Sequence, residues 1–162
     1  MTIPWSPSFI TLTKMALPYS FSFIEVSADD LNRVQALLRS NNLPFEDCGD
    51  HLPNFIGIAQ DNQIIAVGGF EHVGRFALLR SVAVDAQYRG LGLGSSLIQK
   101  ILGHLTLLKV ETVYILTETA DQYFSQLGFK VLERDGLPVE IQTTQQFQTL
   151  CPASAIAMGL TF

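Results

Sequence analysis

The spacing of apolar positions changes character several times along this chain, and each change predicts an element. FSFIEV (21–26) alternates in the manner of a short strand. Ser27 then stands before Asp29 and Asp30, an N-cap followed by carboxylates in a first turn whose free N–H groups favour negative charge. Leu31, Val34, Leu37 and Leu38 follow at helical spacing, and NNLP (41–44) ends that helix. PFEDCGDHLPN (44–54) is a polar, irregular link with room for a short second helix. FIGIAQ and QIIAVGGF flank Asp61-Asn62, which predicts a hairpin. His72 to Arg75 predicts a second turn, and RFALLRSVAV (75–84) a longer strand. In that strand Phe76, Leu78, Val82 and Val84 share one face, but Arg80 falls on it too. A bulge near Leu79 to Ser81 would re-aim the side chains; otherwise Arg80 sits at a polar patch.

From Leu93 the period becomes 3.6. Leu93, Leu97, Ile98, Ile101, Leu102, Leu105 and Leu108 form one broad apolar stripe. TVYILT (112–117) reads as a buried strand, Ala120 to Leu127 as a helix closed by Gly128, and FKVLER (129–134) as a strand. Thr143 to Gln146 fits a capping box for a short helix carrying Phe147 and Leu150. Pro152 ends it, and SAIAMGLTF (154–162) is the last strand. The order predicts a mixed sheet: an antiparallel meander, then a strand–helix–strand crossover over 75–117 whose two strands run parallel.

Composition narrows what such a domain can do. The 162 residues suit one domain, with enough interior to fold without a metal or disulfide. Charged residues are 15% of the chain against about 25% in a typical soluble domain. A surface so sparsely charged leaves room for a homodimer interface. The formal net charge of −5 excludes a broad nucleic-acid-binding face. Cys48 and Cys151 lack metal-ligand spacing and read as two free thiols in a reducing compartment. No apolar run is long enough to span a membrane, so the sequence predicts a cytoplasmic protein. Residues 1–20, broken by Pro4, Pro7 and Pro18, do not read as a signal peptide and are expected to be a loosely attached leader.

The candidate chemistry lies between the strand ending at Val84 and the helix starting at Leu93. Gly90, Gly92 and Gly94 open that helix, where unpaired N–H groups and the helix dipole favour an anion, and a glycine-rich approach lets a phosphate in. Arg89 and Ser95 add a cation and a hydroxyl. A Walker loop would need a lysine that is absent, and a dinucleotide fingerprint would need a third glycine where Ser95 stands. What remains is Gln87-x-x-Gly90-x-Gly92 overlapping Arg89-x-x-Gly92-x-Gly94, after Val82-Ala83-Val84. With the long apolar helix and the later LGF (127–129), this resembles the coenzyme A signature of the GNAT superfamily of N-acetyltransferases.

The resemblance covers about residues 21–162, as one acetyltransferase domain. It implies an α/β fold of α+β type: a mixed, mostly antiparallel sheet with two central parallel strands that splay apart, flanked by helices. It implies acetyl-CoA as co-substrate, with no metal. The main chain of Val82, Ala83 and Val84 would bind the pantetheine arm like an added strand. The segment from Gln87 through Arg89, Gly90, Leu91, Gly92, Leu93, Gly94 and Ser95 would hold the pyrophosphate. The partner is a small-molecule amine, with no nucleic acid and no membrane. FEHVGRFALLRSVAV, LTETADQYFSQLGF and QFQTLCPASAIAM are also similar to acetyltransferases of bacterial arsenic-resistance operons, which implies amino-acid-like toxins as one acceptor class.

For the proton of the attacking amine, Glu71 is the first candidate base and Glu118 the second; each has the alternative of an ordinary strand-end or helix-start carboxylate. Phe124 occupies the position where the family's F-Y-x-x-x-G-F helix carries a tyrosine proton donor, and Tyr123 is rotated about 100° from it. No general acid is assigned. Arg75 and Arg80 are the candidate cations for an acceptor carboxylate, against the alternatives of a solvated turn arginine and a structural ion pair. A protein or peptide acetyltransferase, or a coenzyme A-binding module without turnover, are the competing functions.

Overall fold

The structure is a computed structural model that describes residues 20–162; the leader expected at residues 1–20 lies, but for its last residue, outside them. Seven strands form one sheet in the order β1-β2-β3-β4-β5-β7-β6. They are β1 (Ser22–Glu25), β2 (Phe55–Gln60), β3 (Gln63–Val73), β4 (Phe76–Val84), β5 (Thr112–Thr117), β6 (Lys130–Leu132) and β7 (Ile156–Thr161). Only β4 and β5 pair in parallel; every other neighbouring pair is antiparallel. The mixed sheet and the crossover are as the sequence predicts.

The hairpin between β2 and β3 turns on Asp61 and Asn62, both at positive φ (49° and 63°), the pairing that matches the twist of the flanking strands. The next turn is tighter than expected. His72 and Val73 pair with Ala77 and Phe76, so β3 runs on and only Gly74-Arg75 is left to turn. Gly74 accepts this at φ 60°.

Helix α1 (Leu31–Ser40) is led in by a turn of 3-10 helix at Ala28–Asp30. The backbone N–H and hydroxyl of Ser27 both donate to the Asp30 carboxylate, at 3.0 and 3.1 Å, a capping arrangement that pulls Asp30 below its ordinary pKa. Val34, Leu37 and Leu38 of α1 bury against Phe55, Val67 and Ala83 on one face of the sheet. The polar link forms a longer 3-10 stretch, Cys48–Asn54, beneath which Cys48 and Leu52 join the same cluster.

Helix α2 (Leu93–Leu107) covers the opposite face. Leu97, Ile98, Ile101 and Leu105 are fully buried against Phe70, Ala77, Leu79, Val113, Ile115 and Met158. Each such side chain contributes about 1.5–3 kcal/mol by leaving water, so this seam fixes the crossover. Leu108, expected in the stripe, falls on the C-cap and is exposed.

Helix α3 (Asp121–Gln126) ends at Gly128, whose φ of 98° matches the predicted stop. Past β6 the chain departs from expectation. A short helix α4 (Val139–Gln142) appears, and a single wide turn at Gln146–Leu150 replaces the expected short helix. The capping box at Thr143 does not form: Thr143 Oγ1 donates to Glu140 C=O, and Thr144 Oγ1 accepts from Phe147 N–H at 3.3 Å. The competing 1→4 bond from Thr144 to the Ile141 carbonyl closes α4 first, so the cap shifts by one residue. Leu137 and Ile141 pack on Leu78, Tyr114 and Ala157, on the same face as α1. Among the described residues no helix is long and apolar enough to cross a membrane, and no cluster of His, Cys, Asp or Glu side chains could hold a metal.

Candidate active site

The site begins where strand pairing stops. β4 and β5 pair from Phe76–Thr112 to Leu79–Ile115 and no further. Beyond that point β4 continues to Val84 and β5 to Thr117 without meeting. The cause is a bulge, one of the two alternatives the sequence leaves open for Arg80. Gly69 pairs with Arg80 and Val67 with Ala83, so Gly68 alone faces Ser81 and Val82. Ser81 takes a left-handed φ of 59°, a strained conformation for a residue with a Cβ. The bulge bends β4 away from β5 and sends Val82 and Val84 toward the α2 core, while Leu78 keeps to the other face.

The gap is a cavity of ≈ 450 Å³ walled by Leu79, Arg80, Ser81 and Val82 on one side and by Ile115 through Ala120 on the other. Asn41 to Pro44, past the end of α1, form one rim. Phe124, Gln146, Leu150 to Pro152 and Ala155 close the rest. The edge of β4 that faces the gap offers main-chain groups of Val82 and Val84 on the side where β5 has left, whereas those of Ala83, expected to bind as well, turn to Val67 on β3. Val84 C=O is already engaged at 3.3 Å by Arg89 Nε.

Past Val84, Asp85 caps a 3-10 turn by accepting from Gln87 N–H at 2.9 Å, and the chain enters α2 through Gly90 (φ 80°) and Gly92 (φ 78°). At both glycines a Cβ would meet nothing within 4 Å, so the approach to the helix is open. The first helical bond runs from Ser96 N–H to Gly92 C=O, which leaves Leu93, Gly94 and Ser95 N–H without helical acceptors. No acidic side chain lies in this first turn, and Gly92 supplies no side-chain cap. The positive end of a 15-residue helix is therefore left for an external anion. Main-chain donors, open space and a two-sided edge strand fit a diphosphate joined to an extended amide chain, as in coenzyme A.

The side chains around this cradle are not all free. Arg89 Nη2 donates to Asn41 Oδ1 at 2.7 Å and so ties the loop to the end of α1. Ser95 Oγ and Tyr123 Oη lie 3.0 Å apart. A Cβ on Gly94 would stand 3.0 Å from that phenol oxygen, so glycine here lets Tyr123 lie across the first turn of α2. Phe124, in contrast, is buried in the α2 core and lines the cavity.

Arg80 does not disrupt the core, because Asp47, Glu71 and Ser81 pair with it there. Its guanidinium grips both carboxylate oxygens of Asp47 and also reaches Glu71 Oε2 at 3.2 Å and Ser81 Oγ at 3.1 Å. Burial opposes the charge, but the bonds and charges of Asp47 and Glu71 outweigh it, and Arg80 holds its proton more tightly than usual. Burial alone would raise Asp47; the hydrogen bonds and charge of Arg80, helped by His51, instead hold its carboxyl below the usual range. His51 Nε2 stands 3.5 Å from Asp47 and 3.7 Å from Glu71.

The structure thus brings Arg80, Glu118 and the strand and loop residues to one region, with Arg80 and Glu118 both lining the cavity. Glu71 does not line it; Arg80 stands between. Arg75 is not brought to it at all. It lies at the opposite end of β4, 3.5 Å from Glu111, because the turn it occupies is where the strand begins and the gap is where it ends. Sequence reasoning missed Asp47, whose polar link carries no periodic signal. The one available hint was Arg80 itself, since an arginine on an apolar strand face needs a partner.

The Acetyltransferase (GNAT) family model matches residues 20–129. The chain is 27% identical over 110 residues to an amino-acid acetyltransferase of Actinobacillus pleuropneumoniae, covering 67% of this chain and 25% of that protein. A second amino-acid acetyltransferase, from Photorhabdus laumondii, is 30% identical over 102 residues, or 60% of this chain and 22% of its own length. The chain thus spans about a quarter of the length of these relatives. Among solved structures, N-acetylglutamate synthase from Neisseria gonorrhoeae, complexed with coenzyme A and N-acetyl-glutamate, superposes with a TM-score of 0.76 at 15% identity, covering 90% of this chain and 36% of that one. A GNAT-family acetyltransferase from Staphylococcus aureus gives a TM-score of 0.71 at 16% identity over 88% of this chain and 99% of that one. With a splayed parallel pair, an open helix mouth and a family match over two thirds of its length, this chain belongs to the acetyltransferase (GNAT) family.

Proposed function

We propose that this chain is an acetyl-CoA-dependent N-acetyltransferase whose acceptor is the amine of a small, amino-acid-like molecule. The observation that carries the reading is the break in pairing after Leu79 and Ile115, which opens a cavity beside a helix mouth with unclaimed N–H groups. The names of the relatives, amino-acid acetyltransferases, support the acceptor class.

Acetyl-CoA supplies an activated acetyl group when bound. The N–H groups of Leu93, Gly94 and Ser95 take its diphosphate, and the main-chain groups of Val82 and Val84 that face the gap take its amide arm. Held this way, the thioester is aimed into the cavity, and positioning alone can contribute on the order of 7–11 kcal/mol in the best cases. The amine nitrogen bonds to the acetyl carbon as the carbon–sulfur bond breaks. The amine must first be neutral, although a lysine-like amine has an unperturbed pKa of ~10.4. Of the two candidate bases, geometry favours Glu118, which lines the cavity, over Glu71, which is held by Arg80 and His51. The departing thiolate, with a thiol pKa near ~8.5, takes its proton from solvent, since Phe124 has none to give.

The acceptor carboxylate is assigned to Arg80, which has one N–H left after Asp47, Glu71 and Ser81 take four of the guanidinium's five. The arsenic-resistance resemblance extends the acceptor class to amino acids bearing arsenic or phosphorus oxyanions. Two free cysteines suit a reducing, cytoplasmic setting.

The test is thiol release from acetyl-CoA with a panel of amino acids, their phosphonate and arsonate analogues, simple amines and peptides. Release that depends on an amino acid supports the reading. Release with peptides alone overturns the acceptor class. Binding of acetyl-CoA without release for any amine overturns catalysis and favours a binding module, the reading that Phe124 in the proton donor's place would then support.

A further inference from the structure

We propose that Gln146 reads the α-carboxylate of the acceptor, and that Cys151 fixes which end of the Gln146 amide faces it. The inference rests on the amino-acid acetyltransferase reading and names a specificity-determining residue for it.

Gln146 is only 6% exposed, yet it lines the cavity. It begins the wide turn in which Cys151 N–H donates to Gln146 C=O at 2.9 Å. That five-residue step stacks the two side chains, and Cys151 Sγ–H donates to Gln146 Oε1 at 3.1 Å. Burial pushes the Cys151 thiol above its ordinary pKa, so it keeps its proton, and a protonated thiol directs the amide oxygen toward sulfur. The Nε2 end is then turned away from Cys151. Among the described residues no protein group accepts from its two N–H groups, and Nε2 is not sealed from solvent. An amide donor pair left without a protein acceptor, on a residue that lines the cavity, is free to bind an occupant there.

The chemistry of that occupant follows from the neighbours. Two N–H donors with no acceptor beside them complement a group that only accepts, which is what a carboxylate is. Arg80 cannot attract one by charge alone. Its single positive charge is already shared between Asp47 and Glu71, two carboxylates in direct contact with it. A neutral donor must therefore do part of the recognition; of the two buried neutral donors that line the cavity, Thr117 and Gln146, only the amide offers two N–H groups. Glu118 lines the same cavity and suits the amine end of the same molecule.

The experiment measures steady-state thiol release for wild type, Q146L, Q146E, C151A and C151S, with L-amino acids and their α-carboxamides as paired acceptors. The expected result is a preference for acid over amide in wild type. Q146L should raise the acceptor KM at least tenfold and leave the acetyl-CoA KM within twofold, which also reports an intact fold. Q146E, which repels a carboxylate but accepts from an amide, should lower the acid-to-amide ratio of kcat/KM at least a hundredfold. C151A should lower that ratio about fivefold and C151S should keep it. An unchanged acceptor KM in Q146L, or an unchanged ratio in Q146E, overturns the inference while leaving the amino-acid reading intact. A wild type that turns over no amino acid overturns both. Should the Gln146 variants not fold, equal ratios in wild type, C151A and C151S overturn it.

Discussion

Asp47 and Arg80, 33 positions apart in sequence, meet as a two-pronged ion pair beneath the bulge of β4. Neither side chain reaches solvent to a useful degree, at 4% and 0% exposure. Breaking a buried pair by removing one partner strands the other charge, typically at a cost of about 3–5 kcal/mol. Asp47→Ala should therefore destabilise the fold toward the lower end of that range, because Glu71 still faces Arg80. Denaturant unfolding measures it, and a loss under about 1 kcal/mol would show the pair to be dispensable.

The same pair sets an acid limit. Asp47 titrates lower in the folded chain than the ~3.9 of an unfolded aspartate. Its contribution is fully present above about pH 4 and is lost as pH falls through the lowered folded value. Wild-type stability should drop below pH 4 more steeply than that of Asp47→Asn. Parallel curves for the two proteins would contradict this.

Glu118→Gln should lower kcat/KM at neutral pH by about 100- to 10,000-fold, the usual worth of a general base. The loss should shrink at high pH, where the acceptor amine is neutral without help. Glu71→Gln should have the smaller effect on turnover. A pH-independent loss in Glu118→Gln, or a larger pH-dependent one in Glu71→Gln, would restore Glu71 as the base.

Tyr123 lies on Ser95 at the mouth of α2, not in the cavity that Phe124 lines. Tyr123→Phe removes one hydrogen bond, worth about 0.5–1.5 kcal/mol. It should raise the acetyl-CoA KM by roughly 2- to 10-fold and leave kcat within about twofold. A collapse of kcat would make Tyr123 the proton donor after all.

Much of this was legible from residue order. The 3.6-residue stripe of α2 and the glycines before it carry their own physics, and the misfit of Arg80 called for either a bulge or a polar patch, both of which the structure has. What escaped was whatever depended on distant partners. Asp47 sits in an irregular link, and nothing in its neighbourhood says that it lies under β4. Arg75 and Arg80, five residues apart on one expected strand, looked equally placed until the position of the gap separated them. Gln146 belongs to a wide turn that sequence periodicity reads as ordinary helix.

The central claim, that the mouth of α2 grips the diphosphate of acetyl-CoA, is tested most directly by calorimetric titration of coenzyme A into wild type and Gly92→Asp. Gly92 stands at φ 78° with open space where the new carboxylate would go. The account predicts one site per wild-type chain and none detectable in the variant, with the variant still folded by circular dichroism. Equal affinity in the two proteins, or no binding to wild type at saturating coenzyme A, would contradict it.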